Sequence, residues 1–311
     1  MDDGDLLTEP ESETTMYVRG EILLVIWNRV CFGLCAFLFG LSFALAADGT
    51  KVDTKTVRVA AVNTPGYSGL LGSLIPNFEK QSGYRVTVYS GSLPYDEALA
   101  GKADIIISHF GREELESFVR SGYGMWPKTV FANQSTLIGP KSDPAKIRGL
   151  RDPIEAFRRI AATKSPYVVS NSDGSRYLTE ILWEAAGKPD KGQWFIQGEA
   201  KKGRAARLAD EKQAYVIYGA FPFLRNQKKN NYKLDALVID APLFQRVMVT
   251  VVVDPKKISS ANTKGAQAFE RYLLSPQVQA AIGAFRMPGS DLKLWWPSGR
   301  HNDSHELMKH N

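Results

Sequence analysis

Tyr167-Val168-Val169-Ser170-Asn171-Ser172-Asp173-Gly174-Ser175-Arg176 is the stretch on which the fold turns. Its apolar start predicts a short buried strand, its small polar residues a turn, and the pattern from Arg176 to Trp183 a helix. A strand, a hydroxyl-rich turn and a helix start leave free backbone N–H groups at the positive end of a helix dipole, which suits an anion. The same residues also describe a helix capped by Ser and Asp with no ligand at all. Which of the two holds depends on what the rest of the chain places opposite this turn.

Upstream, residues 57–62 predict a strand ending in the loop Asn63-Thr64-Pro65-Gly66. A helix follows from Tyr67, with Leu70, Leu71, Leu74, Ile75 and Phe78 on one stripe and Gly83 as its C-cap. Residues 84–89 alternate as a strand that ends in Ser90-Gly91-Ser92. A short helix over 96–100 then leads to a strand at 104–108, ended by His109. Strands alternating with helices in this way predict parallel pairing with right-handed crossovers. Beyond a helix at 113–120, two extended segments, 125–131 and 135–138, leave this first lobe. The stiff turn 139–144 enters a second lobe with a helix at 153–162, the opening stretch, a basic helix at 201–211 and a strand at 214–218. The β-rich run 246–253 carries the chain home, and helices at 262–274 and 276–285 close the first lobe.

The expectation is therefore an α/β protein of two lobes, each a mixed sheet flanked by helices, joined by two hinge crossings. The segments are 48–138 and 244–290 for the first lobe, 139–243 for the second, and a tail at 291–311. In open α/β sheets a ligand sits outside the carboxyl ends of the strands, so the polar loops face one another across a cleft. The candidate ligand residues are Asn63, Thr64, Ser92, His109, Ser170, Asn171, Ser175, Arg176 and Tyr218. Arg176 is the candidate cation, because its guanidinium fork matches an oxyanion and a first-turn arginine otherwise faces an unfavourable dipole; it could equally be an exposed arginine of the first turn. Tyr95, Tyr177 and Tyr218 could line an organic ligand, or simply be core aromatics.

Composition narrows the function classes. The chain has 311 residues, 44% of them hydrophobic, enough for two domains with full cores. The net charge of +6 hides an acidic leader: residues 1–47 carry seven acids and two bases, and the rest carries 37 Lys and Arg against 26 Asp and Glu, or +11. Such a basic body steers anionic partners toward it. The basic helix (Lys201, Lys202, Arg204, Arg207) and the Lys228-Lys229 loop lack interleaved aromatics, so they read as a solvated face and no nucleic-acid partner is expected.

Residues 22–47 are strongly apolar, broken only by Asn28 and Arg29, and end in Ala44-Leu45-Ala46-Ala47. This predicts a secretory signal peptide cut after Ala46 or Ala47, with Met16 as an alternative start and a periplasmic mature protein. An uncleaved segment of that length would instead anchor the protein in the membrane. Both cysteines, Cys31 and Cys35, lie in it, so the mature chain holds no thiol. With one histidine outside the tail, no cysteine and no G-x-S-x-G elbow, the body offers no nucleophile with its base, and no enzyme is expected. The tail places His301 four residues from His305, with His310 beyond, but without cysteines or structured acids it does not predict a metal site, and no cofactor is expected.

From Val57 to Phe285 the chain also resembles a known family, the periplasmic solute receptors of ABC importers, in their tungstate/molybdate-type branch. The resemblance rests on Ser68-Gly69-Leu70-Leu71 with Phe78-Glu79 and Gly83-Tyr84, on Ala103-Asp104 with His109, and on Gly139-Pro140 with Asp143-Pro144-Ala145. It continues in Ser170 and Asp173 with Glu180 and Trp183, and in Ser275-Pro276 with Gln279 and Ile282-Gly283. It implies the type II binding-protein fold, lobes that close on a small anion without covalent chemistry, and a membrane permease as partner. The expected receptor is a monomer. Three segments depart from the family pattern: Val62-Asn63-Thr64-Pro65 keeps one hydroxyl of a Thr-rich turn, the opening stretch carries its arginine further downstream, and Tyr218-Gly219-Ala220-Phe221 replaces an Asp-Arg-x-Thr stretch. Tungstate specificity therefore does not follow. The alternatives are a membrane-anchored sensory or accessory module of the same fold, or a receptor for a small organic solute.

Overall fold

The structure, a computed structural model, describes residues 54–299, leaving out Lys228 and the side chain of Asp173. The expected signal segment and the tail histidines His301, His305 and His310 lie outside the described residues.

β1 (Thr56–Val62) runs straight into a short helix, α1 (Asn63–Tyr67), where the sequence predicts a loop. Pro65 sits in its first turn, where a missing N–H breaks no helical bond. Gly69, at φ 84°, separates α1 from α2 (Leu70–Ser82), which ends at the expected left-handed Gly83. Leu70, Leu71, Leu74 and Phe78 are buried, and Ile75 packs against the same core, so the apolar stripe is the helix's inner face. β2 (Arg85–Gly91), α3 (Pro94–Leu99), β3 (Ile105–His109) and α4 (Glu113–Arg120) follow. β1 lies between β2 and β3, parallel to both.

β4 (Lys128–Pro140) is one strand of 13 residues where two separate segments are expected. It stays extended because its partner changes midway: residues 128–134 pair with β9 (Gln245–Val252), and residues 135–138 with β7 (Tyr215–Gly219), both antiparallel. β4 is thus the first crossing between lobes. The second lobe adds α5 (Pro153–Ala162), β5 (Tyr167–Val168), α6 (Asp173–Ala185), β6 (Phe195–Ile196) and α7 (Gly203–Lys212). After β7 come α8 (Ala220–Gln227) and β8 (Leu234–Val238). Asp152 caps α5, its Oδ1 accepting from the Ile154 N–H at 2.8 Å, ahead of a first-turn proline. β8 pairs with β4 in the second lobe and β9 pairs with β3 and β4 in the first, so the chain returns between Val238 and Gln245. α9 (Thr263–Leu274), α10 (Pro276–Ala284) and β10 (Trp296–Pro297) complete the first lobe.

The strand order β2-β1-β3-β9-β4-β7-β5-β6 makes one continuous sheet through the hinge, with β8 and β10 also on β4. Each lobe has its own cores. In the first, alternation along β3 and β9 sends Ile105, Ile107 and Met248 to one face and Ile106, Val249 and Val251 to the other. In the second, Phe157, Tyr167, Trp194 and Phe195 form an aromatic cluster on one side, with ring centroids 5.1–6.4 Å apart, and Ile138, Val216 and Phe223 fill the other. Trp295 packs back onto the first core, edge-on to Phe131 at 4.9 Å. Trp296 Nε1 donates to Asp240 Oδ1 at 3.1 Å on the returning crossing, and Asp240 also pairs with Arg151 at 3.3 Å.

Candidate ligand-binding cleft

The carboxyl ends of β1, β2 and β3 carry one group of candidate residues. Asn63 and Thr64 open α1, whose N-cap position, Val62, has no side chain able to cap it. Ser92 is exposed just beyond β2. These two segments are held together closely: a Cβ on Gly66 would overlap the Ser90 hydroxyl, and Tyr67 donates its hydroxyl to the Ser90 carbonyl at 3.2 Å. Arg225 of α8 lies over the Tyr67 ring, 5.4 Å from its centroid, so the two lobes touch at this wall.

The second lobe contributes the opening stretch, between β5 and α6. Ser170 is buried, and its hydroxyl lies 3.1 Å from that of Ser172. Ser172 stands at the N-cap of α6 without capping it; its Oγ instead accepts from the Lys202 N–H at 3.2 Å. Asn171 is engaged on both sides, donating to Glu199 Oε2 at 2.9 Å and accepting from Arg176 Nη1 at 3.1 Å. Ser175 is half-buried and Arg176 is exposed. Arg176, the cation expected from sequence, thus already has an uncharged acceptor beside the helix start. Tyr218 is buried in a core of the second lobe, opposite Thr136 in the β4–β7 ladder and hydrogen-bonded with Asn226.

The hinge supplies a floor that sequence reasoning did not single out. Asn133, Gln134, Ser135 and Thr136 are four consecutive buried polar residues in mid-strand, at the point where β4 changes partner. Thr136 donates to the Val238 carbonyl at 2.7 Å, whereas both amide atoms of Gln134 are buried without a partner among the described residues. His109 ends β3 beside this floor, with Nε2 3.3 Å from Asn133 Oδ1. Because that oxygen only accepts, Nε2 carries the proton. Burial, aided by the positive charge of Arg246, holds the His109 pKa down at about 3, so the imidazole is neutral at pH 7.

Arg246 stands opposite Asn133 in the β9–β4 ladder. It is exposed, yet crowded enough that desolvation lowers its pKa, with repulsion from Arg112 adding to the effect. Arg112, just before α4, is held by Glu114 through two bonds, Nε to Oε2 at 3.1 Å and Nη2 to Oε1 at 2.8 Å. The signal for this floor was a run of polar residues, Asn133 to Thr136, inside an otherwise apolar strand. Two recesses, of about 360 Å³ between α3 and α4 and about 620 Å³ between α2 and α9, are lined by none of the candidate ligand residues.

Chemically, the cleft presents hydroxyls, amides, backbone N–H groups and guanidinium groups. Among the described residues no cluster of three or more His, Cys, Asp or Glu could hold a metal ion. No described helix is long and apolar enough to cross a membrane.

Comparison with known proteins agrees with this architecture. The family model described as bacterial extracellular solute-binding protein matches residues 58–285. The tungstate-binding protein TupA of Peptoclostridium acidaminophilum is 31% identical over 251 residues, covering 78% of this chain and 86% of that protein. The solved tungstate-binding protein of Desulfovibrio alaskensis shares 24% identity with a TM-score of 0.64, covering 78% of this chain and 98% of that one; it supports the two-lobe fold. The tungstate ABC transporter structure from Geobacter sulfurreducens shares 25% identity with a TM-score of 0.58, covering 74% and 99%. The chain belongs to the family of bacterial extracellular solute-binding proteins.

Proposed function

We propose that this protein is an exported receptor that captures a small oxyanion of the tungstate/molybdate kind between its lobes and hands it to the permease of an ABC importer. The observation that carries this reading is the composition of the cleft. Uncharged hydrogen-bond donors follow the strands at Asn63 to Ser68, Ser90 to Ser92 and Ser170 to Ser175, and the hinge carries Arg246 opposite Asn133. Neutral donors and fixed dipoles can hold an oxyanion without a full countercharge for each of its charges. The relative named as a tungstate-binding protein supports the ligand class. No bond to the ligand need form or break, since lobe closure about β4 and the returning crossing is enough to trap it. Export rests on the apolar segment at residues 22–47, which would place the mature receptor in the periplasm.

A thermal-shift series with tungstate, molybdate, sulfate, phosphate and small carboxylates tests the reading. A ligand at 100 times its Kd stabilises the folded state by about 2.7 kcal/mol, a readily measured rise in Tm. We expect that rise with at least one tetrahedral oxyanion. A rise with organic solutes alone would remove the anion assignment and favour the organic-solute receptor.

A further inference from the structure

The hinge carries a positive charge for which the described residues supply no neutralising partner. Arg246 faces the hinge opposite Asn133, and the charge acting on it is that of another cation, Arg112. Arg112 itself is balanced by the bidentate Glu114. His109, neutral and bonded to Asn133, brings no negative charge, and the neighbouring Gln134 amide is enclosed with neither atom satisfied among the described residues. A guanidinium near a like charge and without a counter-charge favours a bound anion. Arg176, by contrast, stands exposed with its guanidinium donating to Asn171.

Resting on the oxyanion reading above, we propose that Arg246, positioned on the hinge beside Asn133 and His109, is the residue that matches the charge of the bound oxyanion. The placement has a mechanical consequence. A charge on a hinge strand meets the ligand whichever lobe captures it first, so binding and closure share one contact. It also explains how a member of this family can lose hydroxyls from the Asn63 turn and shift its arginine along the opening stretch while keeping an anion site.

Calorimetric titration of tungstate into the full protein, alongside Arg246→Gln, Arg246→Lys and the charge control Lys102→Gln, tests this. Removing one charge-assisted contact should weaken binding by about 10- to 100-fold in Arg246→Gln. Lysine keeps the charge but not the fork, so Arg246→Lys should fall between the two, and Lys102→Gln should bind as the parent does. The unliganded Tm separates this from a structural role, because loss of an unpaired, repelled charge should leave it unchanged or raise it. If the parent binds tungstate and Arg246→Gln binds it equally well, the inference falls while the receptor reading stands. If the parent binds none of tungstate, molybdate, sulfate or phosphate, both fall together.

Discussion

Replacing Asp104 by alanine will remove about 3–5 kcal/mol of folding stability, the range for deleting one partner of a buried ion pair. Asp104 is fully buried at the foot of β3 and ties three elements together. Its Oδ2 accepts from the Arg58 backbone N–H at 2.7 Å and from Nε at 3.1 Å, and its Oδ1 accepts from Arg58 Nη2 at 2.6 Å. The same Oδ1 accepts from the Asn262 N–H at 2.8 Å, just where Asn262 caps α9 and donates its own amide to the Thr56 carbonyl. Alanine would leave two backbone donors and a partly buried guanidinium without their acceptor. Against a typical margin of about 5–15 kcal/mol this is a large fraction, so the variant should unfold at much lower denaturant. Asp104→Asn should lose nearly as much, because one amide corner becomes a donor facing donors. A loss under about 1 kcal/mol, the scale of an exposed pair, would mean that the Arg58 ion pair contributes little.

A second large effect is expected from acid. An unfolded histidine titrates near about 6.5, whereas His109 in the fold is held at about 3, mainly by burial. Between those values the unfolded chain binds a proton that the folded one refuses, so folding stability falls as the pH drops. The contribution is fully present above about pH 6.5 and is lost by about pH 3, at up to about 1.4 kcal/mol per unit. Carboxylates add their own acid dependence, so the readout is a difference. His109→Gln keeps a donor for Asn133 but does not titrate, and its stability should decline less steeply than the parent's between pH 6.5 and 3. Parallel curves for the two proteins would show that His109 is not the buried neutral group described above.

Much of this fold was legible because local chemistry and tertiary context agree. Helix α5, with Asp152 before Pro153 and an amphipathic stripe, forms over the residues its pattern predicts. The stripe from Leu70 to Phe78 and the stop at Gly83 behave likewise. The departures have identifiable causes. Asn63 to Tyr67 looks like a turn because it contains Pro and Gly, but proline in a first turn is compatible with a helix. β4 looks like two pieces because its middle is polar, whereas the ladders of two lobes hold it extended. Short β5 and β6 exist only through their neighbours, β7 and the aromatic cluster, and β6 was invisible in sequence for that reason.

The candidate site was legible in part. The strand-end loops could be found because each follows an apolar run with hydroxyl residues. Arg246 and Arg112 could not, since one begins a β-rich strand and the other precedes a helix. Only the register beside Asn133 and the end of β3 brings them to the floor with His109. Tyr218, at the end of its strand, packs into one core of the second lobe because side chains alternate along β7, sending Ile217 to one face and Tyr218 to the other.

Anomalous diffraction at the tungsten edge, from crystals of the full protein grown with tungstate, tests the central claim most directly. One strong peak is predicted in the cleft, between the loops at Asn63 to Ser68 and Ser170 to Arg176 and next to the floor formed by Asn133 and Arg246. A peak confined to the outer recesses between α3 and α4 or between α2 and α9, with the cleft empty, would contradict it.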